Sequence, residues 1–490
     1  MRNGVHLITY ANRLGGDGLD ALRRLLDDPL KGAFSGVHIL PFFYPVDGTD
    51  AGFDPIDHST VDPRVGTWDD IAALSETLEI TADLIVNHIS RKSHQFQDYQ
   101  ANGENSPYRG MFLTFGSVFP SGATEADLLR IYRPRPGLPF TTTTLANGQK
   151  SILWTTFTSD QIDINVRDPQ GEAYWKALLH RFQQYGVKTV RLDAVGYAIK
   201  KAGTSCFMIP ETFTFIEELT RYARSLGLEV LVEIHAHYRT QIEIARQVDR
   251  VYDFALPPLI LHALFNKTAH HLKQWLAISP RNAVTVLDTH DGIGVIDIGA
   301  AADADGSELP GLIPAHEVDA LVETIHEKSG GQSRSATGHA ASNLDLYQVN
   351  CTYYDALGRN DRDYLIARAI QFFAPGIPQV YYVGLLAGTN DMELLARTKV
   401  GREINRHYYS WDEVEAALDR TVVQKLLRLI RFRSEHPAFH GVFSLQPSPD
   451  PLLVMRWDNN ETWAELRVDL NASLMEIKFT ESGFEKRLDW

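Results

Sequence analysis

The sequence predicts an α/β fold: a (β/α)8 TIM barrel with two inserted loop-rich subdomains and a small C-terminal antiparallel β domain. Two observations carry this prediction. Eight short runs rich in Val, Ile, Leu and aromatic residues recur along the 490 residues, and most are followed by segments of helical periodicity, such as Leu19, Leu22, Leu25 and Leu26. Nearly continuous apolar runs are typical of parallel strands buried on both faces, and eight of them alternating with helices favour a closed barrel. The runs are 5–10, 37–40, 83–86, 189–192, 229–232, 251–255, 283–287 and 379–383.

The spacing of these runs is uneven and predicts the two insertions. About 100 residues separate the third and fourth runs and about 90 the seventh and eighth, far more than a βα unit needs. The first gap is rich in proline and holds a threonine run, which is typical of loops. After about residue 438, apolar and polar residues alternate as in antiparallel strands. We expect the barrel in 1–87, 168–292 and 359–437, the insertions in 88–167 and 293–358, and the β domain in 438–490.

Composition excludes several classes of protein. With 22% charged and 10% aromatic residues the chain is not expected to be disordered. Its 62 acidic and 47 basic side chains give a net charge of −15, which disfavours nucleic acid as a partner. Cys206 and Cys351 cannot form a disulfide framework. The sequence has no hydrophobic signal core and no apolar run of about 18 residues, so we expect a cytoplasmic protein with no membrane partner.

The chemistry is expected where strands end, because barrel enzymes keep their working residues at the C-terminal strand ends and in the loops that follow. Four predicted strands end in polar side chains that would converge on one mouth. These ends are Asn87-His88, Arg191-Leu-Asp193, Glu233-Ile-His235 and Asp288-Thr-His-Asp291. Each is unremarkable alone, since an Arg-x-Asp on a strand is more often a structural ion pair, but their convergence indicates a site.

Three carboxylates at this mouth, Asp193, Glu233 and Asp291, indicate which reaction the site could catalyse. Glycosyl transfer with retention uses one carboxylate as nucleophile and a second, about 5 to 5.5 Å away, as proton donor and then acceptor. Arg191 lies two residues before Asp193, so both would face the barrel interior, and the guanidinium would favour an ionised nucleophile. Glu233 must carry a proton at the start, so we expect negative neighbours or an apolar environment around it.

A metal site is the main rival interpretation of the same residues. Glu233, His235 and His237 would share a face if they alternate on a strand, and His290 and Asp291 could complete a ligand set. However, a carboxylate bound to a metal could not donate a proton. We therefore expect no metal and no cofactor.

Four segments resemble the signature regions of the α-amylase superfamily of glycoside hydrolases: DLIVNH at 83–88, RLDAVGY at 191–197, EIH at 233–235 and VLDTHD at 286–291. Others are similar to the sucrose phosphorylase family of retaining glycosyltransferases. These are DAGFDPID at 50–57, IYRPRPGLPF at 131–140, GTSCFM at 203–208, ASNLDLYQVN at 341–350 and GREINRHYY at 401–409. The resemblance covers most of the chain up to about residue 410. His237 departs from it, since an aromatic residue is expected there.

The resemblance implies reversible phosphorolysis of sucrose to α-D-glucose 1-phosphate and fructose through a β-glucosyl enzyme. Asp193 would be the nucleophile, Glu233 the acid and base, and Asp291 the stabiliser of the transition state. Sucrose, inorganic phosphate, glucose 1-phosphate and fructose would be its small-molecule partners, with no cofactor, and the chain would be a monomer or homodimer. Residues that would hold the glucosyl ring are Asp50, Phe53, His88, Arg191, His290 and Arg402. Residues of the acceptor side would be Tyr132, Pro134, Arg135, Tyr197, His235, Asp345, Tyr347 and Gln348.

Phosphate is an anion that must enter a mouth crowded with carboxylates, so it needs a local cation. Arg135, on a proline-rich loop, could meet it with a bidentate fork. Several alternatives remain open: a sucrose 6′-phosphate or glucosylglycerol phosphorylase, a sucrose hydrolase or transglucosidase of the same fold, and a barrel that has lost catalysis and serves binding.

Overall fold

Eight parallel strands form a closed barrel in the computed structural model, which describes residues 1–16, 18–48, 50–134, 137–302, 307–340 and 348–489. Each strand pairs with its neighbours in chain order, and the last returns to the first, so the predicted fold class is confirmed. The strands are β1 (His6–Thr9), β2 (Gly36–Ile39), β3 (Glu79–Ile85), β4 (Val187–Asp193), β5 (Glu229–Val232), β6 (Arg250–Asp253), β7 (Ala283–Thr285) and β8 (Ile377–Tyr381).

Each of the eight apolar runs overlaps a barrel strand, but several boundaries differ from those expected from the sequence. The third strand begins at Glu79, four residues earlier than expected. The sixth ends at Asp253, because the Asp253 carboxylate accepts the backbone N–H of Leu256 at 3.0 Å and the next helix starts there. Apolar character therefore locates a strand well and its ends poorly.

Helices surround the barrel and pack an apolar stripe on it. In the first, Leu19–Asp27, the buried residues Leu19, Leu22, Leu25 and Leu26 follow helical spacing. The α-helices are Leu19–Asp27, Trp68–Ser75, His94–Asn102, Phe115–Val118, Glu125–Arg130, Pro169–Gln184, Pro210–Ser225, Tyr238–Ala245, Leu256–Asn266, His270–Ile278, Ala315–Lys328, Gln332–Ala340, Tyr353–Ala356, Asp361–Phe373, Tyr382–Leu385, Met392–Thr398, Trp411–Leu418 and Thr421–Glu435. Short 3-10 helices are Gly103–Asn105, Val195–Tyr197, Gly401–Asn405 and Pro437–His440. Within the described ranges, no helix is both long and apolar enough to cross a bilayer.

Short antiparallel pairs lie outside the barrel and shape the loops above it. The pairs are Phe43–Tyr44 with Asp57–Val61, His88–Ser90 with Gln161–Asp163, Phe140–Thr144 with Lys150–Trp154, Ile293–Gly294 with Gln348–Val349, and Ala301–Ala302 with Glu308–Leu309. The segment between β3 and β4 has a small core of its own, which includes Leu113, Phe119, Ile131 and Trp154 and also takes in Cys206 from the loop after β4.

The C-terminal residues form the expected antiparallel sheet. Its five strands are β9 (Val442–Leu445), β10 (Leu452–Asn459), β11 (Thr462–Asp469), β12 (Leu474–Glu481) and β13 (Phe484–Arg487). In β11, Ala464, Leu466 and Val468 are buried while the residues between them face outward, which is the alternation that the sequence shows.

A buried ammonium group joins the segment after β3 to the barrel. Lys200 Nζ lies 2.7 Å from Asp163 Oδ2 and donates a hydrogen bond to Asn87 Oδ1 at 2.9 Å and another to the carbonyl of Tyr197. The side chains of Lys200 and Asp163 are 1% and 0% exposed, so each charge depends on the other.

We expect Lys200→Met to lower the free energy of unfolding by about 3 to 5 kcal/mol, because it leaves the Asp163 carboxylate buried without its cation. Urea unfolding followed by tryptophan fluorescence measures this. Lys201→Met is the matched control, since Lys201 pairs with Glu211 at the surface and its loss should cost less than about 1 kcal/mol. Equal stability of the two variants would contradict a structural role for the buried pair.

Candidate active site

A pocket opens at the C-terminal mouth of the barrel and brings together many of the residues selected from the sequence. Those lining it are Asp50, Phe53, His88, Pro134, Asp193, Tyr197, Glu233, His290, Asp291 and Arg402. Phe157, Gln161 and Ala194 line it too and were not selected. Arg135, Asp345 and Tyr347 lie outside the described residues.

The Arg191 guanidinium lies under the pocket and is 3% exposed. Its Nη1 donates to Asp193 Oδ1 at 2.9 Å and also to Asp83 Oδ1, while Nη2 lies 4.0 Å from Glu233 Oε2. The pairing of Arg191 with Asp193 follows from their two-residue spacing on β4. Because the cation is nearer to Asp193 than to Glu233, it favours negative charge on Asp193.

Burial nevertheless raises the pKa of Asp193 well above its usual range. Arg191 opposes this shift, but Glu233, Asp83 and Asp291 add to it. Arg191 thus favours an ionised Asp193, as its position on the strand predicts, but carboxylates crowded into a buried mouth cannot all ionise freely. The backbone N–H of Ala194 donates to Glu233 Oε2 at 3.3 Å, which fixes that oxygen as an acceptor.

Asp291 has a different environment from the other two carboxylates. Its Oδ1 lies 3.0 Å from Arg402 Nη1 and 3.7 Å from Arg406 Nη2. Burial would raise the pKa of Asp291, but the guanidinium groups of Arg402 and Arg406 hold it well below the usual range. Asp291 is therefore a permanent anion at neutral pH.

Asp50 shares the same two arginines. Arg402 Nη1 donates to Asp50 Oδ2 at 3.2 Å, and Arg406 donates to Oδ1 at 3.4 Å. The backbone of Asp50 has a φ of 52°, a left-handed conformation that is costly for a residue other than glycine, and its carboxylate is held by both cations. Arg402 thus bridges Asp50 and Asp291 across the pocket.

Two predicted histidines are buried and uncharged. Burial lowers the pKa of His290 to about 3 and also lowers that of His88. The ring of His290 stacks on Phe53 with 4.8 Å between centroids, and His88 Nε2 lies 2.8 Å from the Phe53 carbonyl and 3.2 Å from the Gln161 amide. A neutral imidazole offers one donor and one acceptor, which suits a sugar hydroxyl.

Aromatic rings cluster on one side of the mouth, where Phe157 and Tyr197 line the pocket. Phe207 packs between Tyr132, at 4.7 Å, and Tyr197, at 4.6 Å, and Phe157 meets Tyr197 edge to face at 5.2 Å. Tyr132 comes from the segment after β3 and Tyr197 and Phe207 from the loop after β4, so two loops build this cluster together.

His235 lies beside Glu233, with 3.8 Å between His235 Nε2 and Glu233 Oε1. Its ring stacks on Phe254 at 3.9 Å, its Nε2 is 3.2 Å from the Gln348 amide, and its Nδ1 is 2.9 Å from Asp297 Oδ2. Burial opposes a charged imidazole, but Asp297 outweighs it and the pKa of His235 is raised.

The idea that Glu233, His235 and His237 share one face of a strand is wrong. Strand β5 ends at Val232, and His237 precedes the helix Tyr238–Ala245 with its Nε2 3.0 Å from the Pro310 carbonyl. In the part of the chain that the structure describes, the donor atoms of Glu233, His235 and Asp291 do lie within 4.8 Å of one another. Arg402 and Arg191 border that set, which disfavours a cation there.

Sequence reasoning missed Arg406, Gln161, Phe157 and Asp297. Arg406 had a signal in the sequence, because it lies in the segment GREINRHYY, four residues after Arg402. In the structure both arginines contact Asp50. Gln161 belongs to the strand paired with His88–Ser90, which only the fold of the insertion reveals. Asp297 and Phe157 follow no motif in the sequence.

Comparison with known proteins agrees with the geometry. The family model described as the α-amylase catalytic domain matches residues 31–276. The chain is 61% identical over 483 residues to the sucrose phosphorylase of Agrobacterium vitis, covering 99% of this chain and 98% of that protein. It is 55% identical over 497 residues to the sucrose phosphorylase of Bifidobacterium adolescentis, covering 100% and 98%.

Among solved structures, sucrose 6F-phosphate phosphorylase from Thermoanaerobacter thermosaccharolyticum matches with a TM-score of 0.91 at 39% identity, covering 100% of this chain and 98% of that one. The barrel, the C-terminal sheet and the full-length similarity lead to one conclusion. The chain belongs to the α-amylase family, in the group that contains these phosphorylases.

Proposed function

We propose that this chain is a sucrose phosphorylase, which reversibly converts sucrose and phosphate to α-D-glucose 1-phosphate and fructose with retention. One observation carries the proposal: Asp193, Glu233 and Asp291 meet at one mouth, each in a different electrostatic environment. The similarity to sucrose phosphorylases over the whole chain supports the choice of substrate.

In the first half-reaction Asp193 attacks the anomeric carbon of the glucosyl group. The bond to the fructosyl oxygen breaks, that oxygen takes the proton of Glu233, and fructose leaves. Sucrose would also displace water from the mouth, which strengthens the electrostatic interactions inside it. The negative charge of Asp193 would then be stabilised by Arg191, at 2.9 Å, and by the positive charge that develops on the sugar.

In the second half-reaction phosphate attacks the β-glucosyl ester. Glu233 accepts the proton of the incoming phosphate, Asp193 leaves as a carboxylate, and the second inversion restores the α configuration. Asp291, as a permanent anion, would stabilise the oxocarbenium-like transition state of both steps and accept a hydrogen bond from a sugar hydroxyl.

The glucosyl ring would be held by the residues on the barrel side of the pocket, namely Asp50, Phe53, His88, Arg191, His290 and Arg402. The acceptor side would be formed by Tyr132, Pro134, Arg135, Tyr197, His235, Asp345, Tyr347 and Gln348. Arg135 would supply the charge that phosphate needs, whereas Asp345 would suit fructose hydroxyls and repel phosphate.

Related enzymes of this family differ in the leaving group of the glucosyl donor and in the acceptor that attacks the glucosyl enzyme. A sucrose 6′-phosphate phosphorylase should have a further cation for the fructosyl phosphate, and residues 344–350 contain no Lys or Arg. The division into a barrel, two insertions and a β domain at the boundaries given above, a cytoplasmic location, and a monomer or homodimer remain predictions from the sequence.

We expect purified protein incubated with sucrose to release fructose and α-D-glucose 1-phosphate, with a rate that depends on phosphate. The experiment compares reactions with and without phosphate and assigns the anomer by NMR. Glucose release at the same rate without phosphate would contradict phosphorolysis, and a β product would contradict retention.

Asp193→Ala should lower turnover by a factor on the order of 10⁴ or more, because no group remains to form the covalent intermediate. Steady-state fructose release measures this. Asp160→Ala is the matched control, since Asp160 is 65% exposed and paired only loosely with Arg91 at 3.7 Å, and it should keep ordinary turnover. Substantial activity of the Asp193 variant would remove it as the nucleophile.

Arg135→Ala should lower kcat/KM for phosphate about ten- to a hundredfold, which corresponds to the loss of a charge-assisted hydrogen bond. Slow hydrolysis of sucrose without phosphate should change little, because water needs no cation. Arg133→Ala serves as the control, since the Arg133 guanidinium donates to the Gly137 carbonyl at 3.4 Å. Normal phosphate dependence of the Arg135 variant would exclude it from the acceptor side.

A further inference from the structure

Asp297 is a fully buried carboxylate next to the mouth that the reaction described above does not use. It follows the strand Ile293–Gly294, which opens the second insertion. Asp297 Oδ2 lies 2.9 Å from His235 Nδ1, while Oδ1 accepts the Gln241 side-chain amide at 2.8 Å and the backbone N–H of Ala236 at 3.2 Å. Both oxygens are therefore fixed, and one is directed at the imidazole.

This contact determines which nitrogen of His235 carries a proton. An ionised carboxylate only accepts, so Nδ1 must donate to it, and Nε2 becomes the nitrogen that faces the pocket. Gly292 N–H donates to Gln348 Oε1 at 3.3 Å, which turns the amide NH2 of Gln348 toward His235 Nε2 at 3.2 Å. Nε2 is then held by the Gln348 amide, and it lies 3.8 Å from Glu233 Oε1.

The second insertion brings both partners of His235 to the barrel. Gly294 pairs with Gln348 in the short sheet Ile293–Gly294 with Gln348–Val349, so the two strands hold the two sides of one imidazole. A Cβ at Gly294 would lie 2.4 Å from Asp297 Oδ2 and 3.1 Å from His235 Nδ1. The backbone passes so close to the Asp297–His235 contact that only glycine fits.

We propose that Asp297 is a positioning residue for the acceptor side: it holds the Nδ1–H of His235, so that Nε2 meets the Gln348 amide beside Glu233, where fructose would leave and phosphate would enter. This inference rests on the proposed function. Asp297 touches no substrate and acts only through His235. It should therefore affect the steps that involve fructose or phosphate, and leave the attack of Asp193 on the glucosyl group intact.

The test uses α-D-glucosyl fluoride, whose fluoride leaves with the bonding electrons and needs no fructosyl contacts. The burst of fluoride measures formation of the glucosyl enzyme, and transfer to phosphate or fructose measures the acceptor steps. For Asp297→Asn we expect kcat/KM for each acceptor to fall about tenfold or more, because the amide can donate to Nδ1 and reverse the tautomer. The fluoride burst should stay within about twofold of the wild type.

A double-mutant cycle separates positioning from a structural role. In a His235→Gln background, Asp297→Asn should have almost no further effect on acceptor kinetics, since the group it orients is gone. Glu317→Gln is the matched control, because Glu317 also belongs to the second insertion and pairs with a buried imidazole, that of His262 at 2.6 Å, on the outside of the barrel. Its acceptor kinetics should match the wild type.

Three results would overturn the role of Asp297: an equal loss of the fluoride burst and the acceptor steps, an undiminished effect in the His235→Gln background, or the same defect in the Glu317 variant. Unchanged acceptor kinetics in Asp297→Asn, with an active wild type, would also overturn it. A wild type that transfers glucose to neither phosphate nor fructose would instead reject the proposed function, and the inference with it.

Discussion

The mouth of this barrel depends on the buried guanidinium of Arg191. It contacts Asp83 from β3 and Asp193 from β4 and lies 4.0 Å from Glu233 after β5, so three neighbouring strand ends meet on one cation. Carboxylates brought this close without a counter-charge would repel one another and lose hydration at a cost of several kcal/mol per ion. The parallel barrel sets the spacing of the strand ends. The positive charge of Arg191 offsets the repulsion between the carboxylates that this spacing brings together.

Asp193 and Asp291 differ in electrostatic environment because different cations reach them. Arg402 and Arg406 hold Asp291 as an anion, whereas burial and neighbouring acids raise the pKa of Asp193 against the pull of Arg191. Chemistry that needs a nucleophile, a proton donor and a fixed anion can use such a division. The net charge of −15 is therefore no guide to the pocket, where burial and the nearby arginines together shift the pKa values of Asp193 and Asp291.

The sequence predicted candidate site residues best where they lie at or just after the ends of barrel strands. Strand ends carry Asp193, Glu233, His235 and Asp291, and apolar runs followed by polar residues reveal such ends without any structure. Phe157, which lines the pocket, and Asp297, which contacts His235 behind it, could not be found in this way, because they lie on loops whose course depends on long-range packing. The prediction of a strand that extends through His237 was wrong for a local reason. The strand ends at Val232, and His237 caps the helix Tyr238–Ala245.

The two sides of the pocket are built by different means. Of the groups proposed for the glucosyl side, Arg191 lies on β4, and His88 and His290 lie shortly after β3 and β7, whereas Asp50 and Phe53 come from a loop and Arg402 from a short 3-10 helix. The barrel strands are held by a closed set of backbone hydrogen bonds that leaves little freedom. Loops and insertions supply Tyr132, Phe207, Gln348 and the partners of His235. In the proposed reaction the glucosyl group stays bound through both half-reactions while fructose is exchanged for phosphate. A rigid barrel suits the part of the substrate that stays, and side chains oriented from insertions suit the part that changes, because there one group must serve two different ligands in turn.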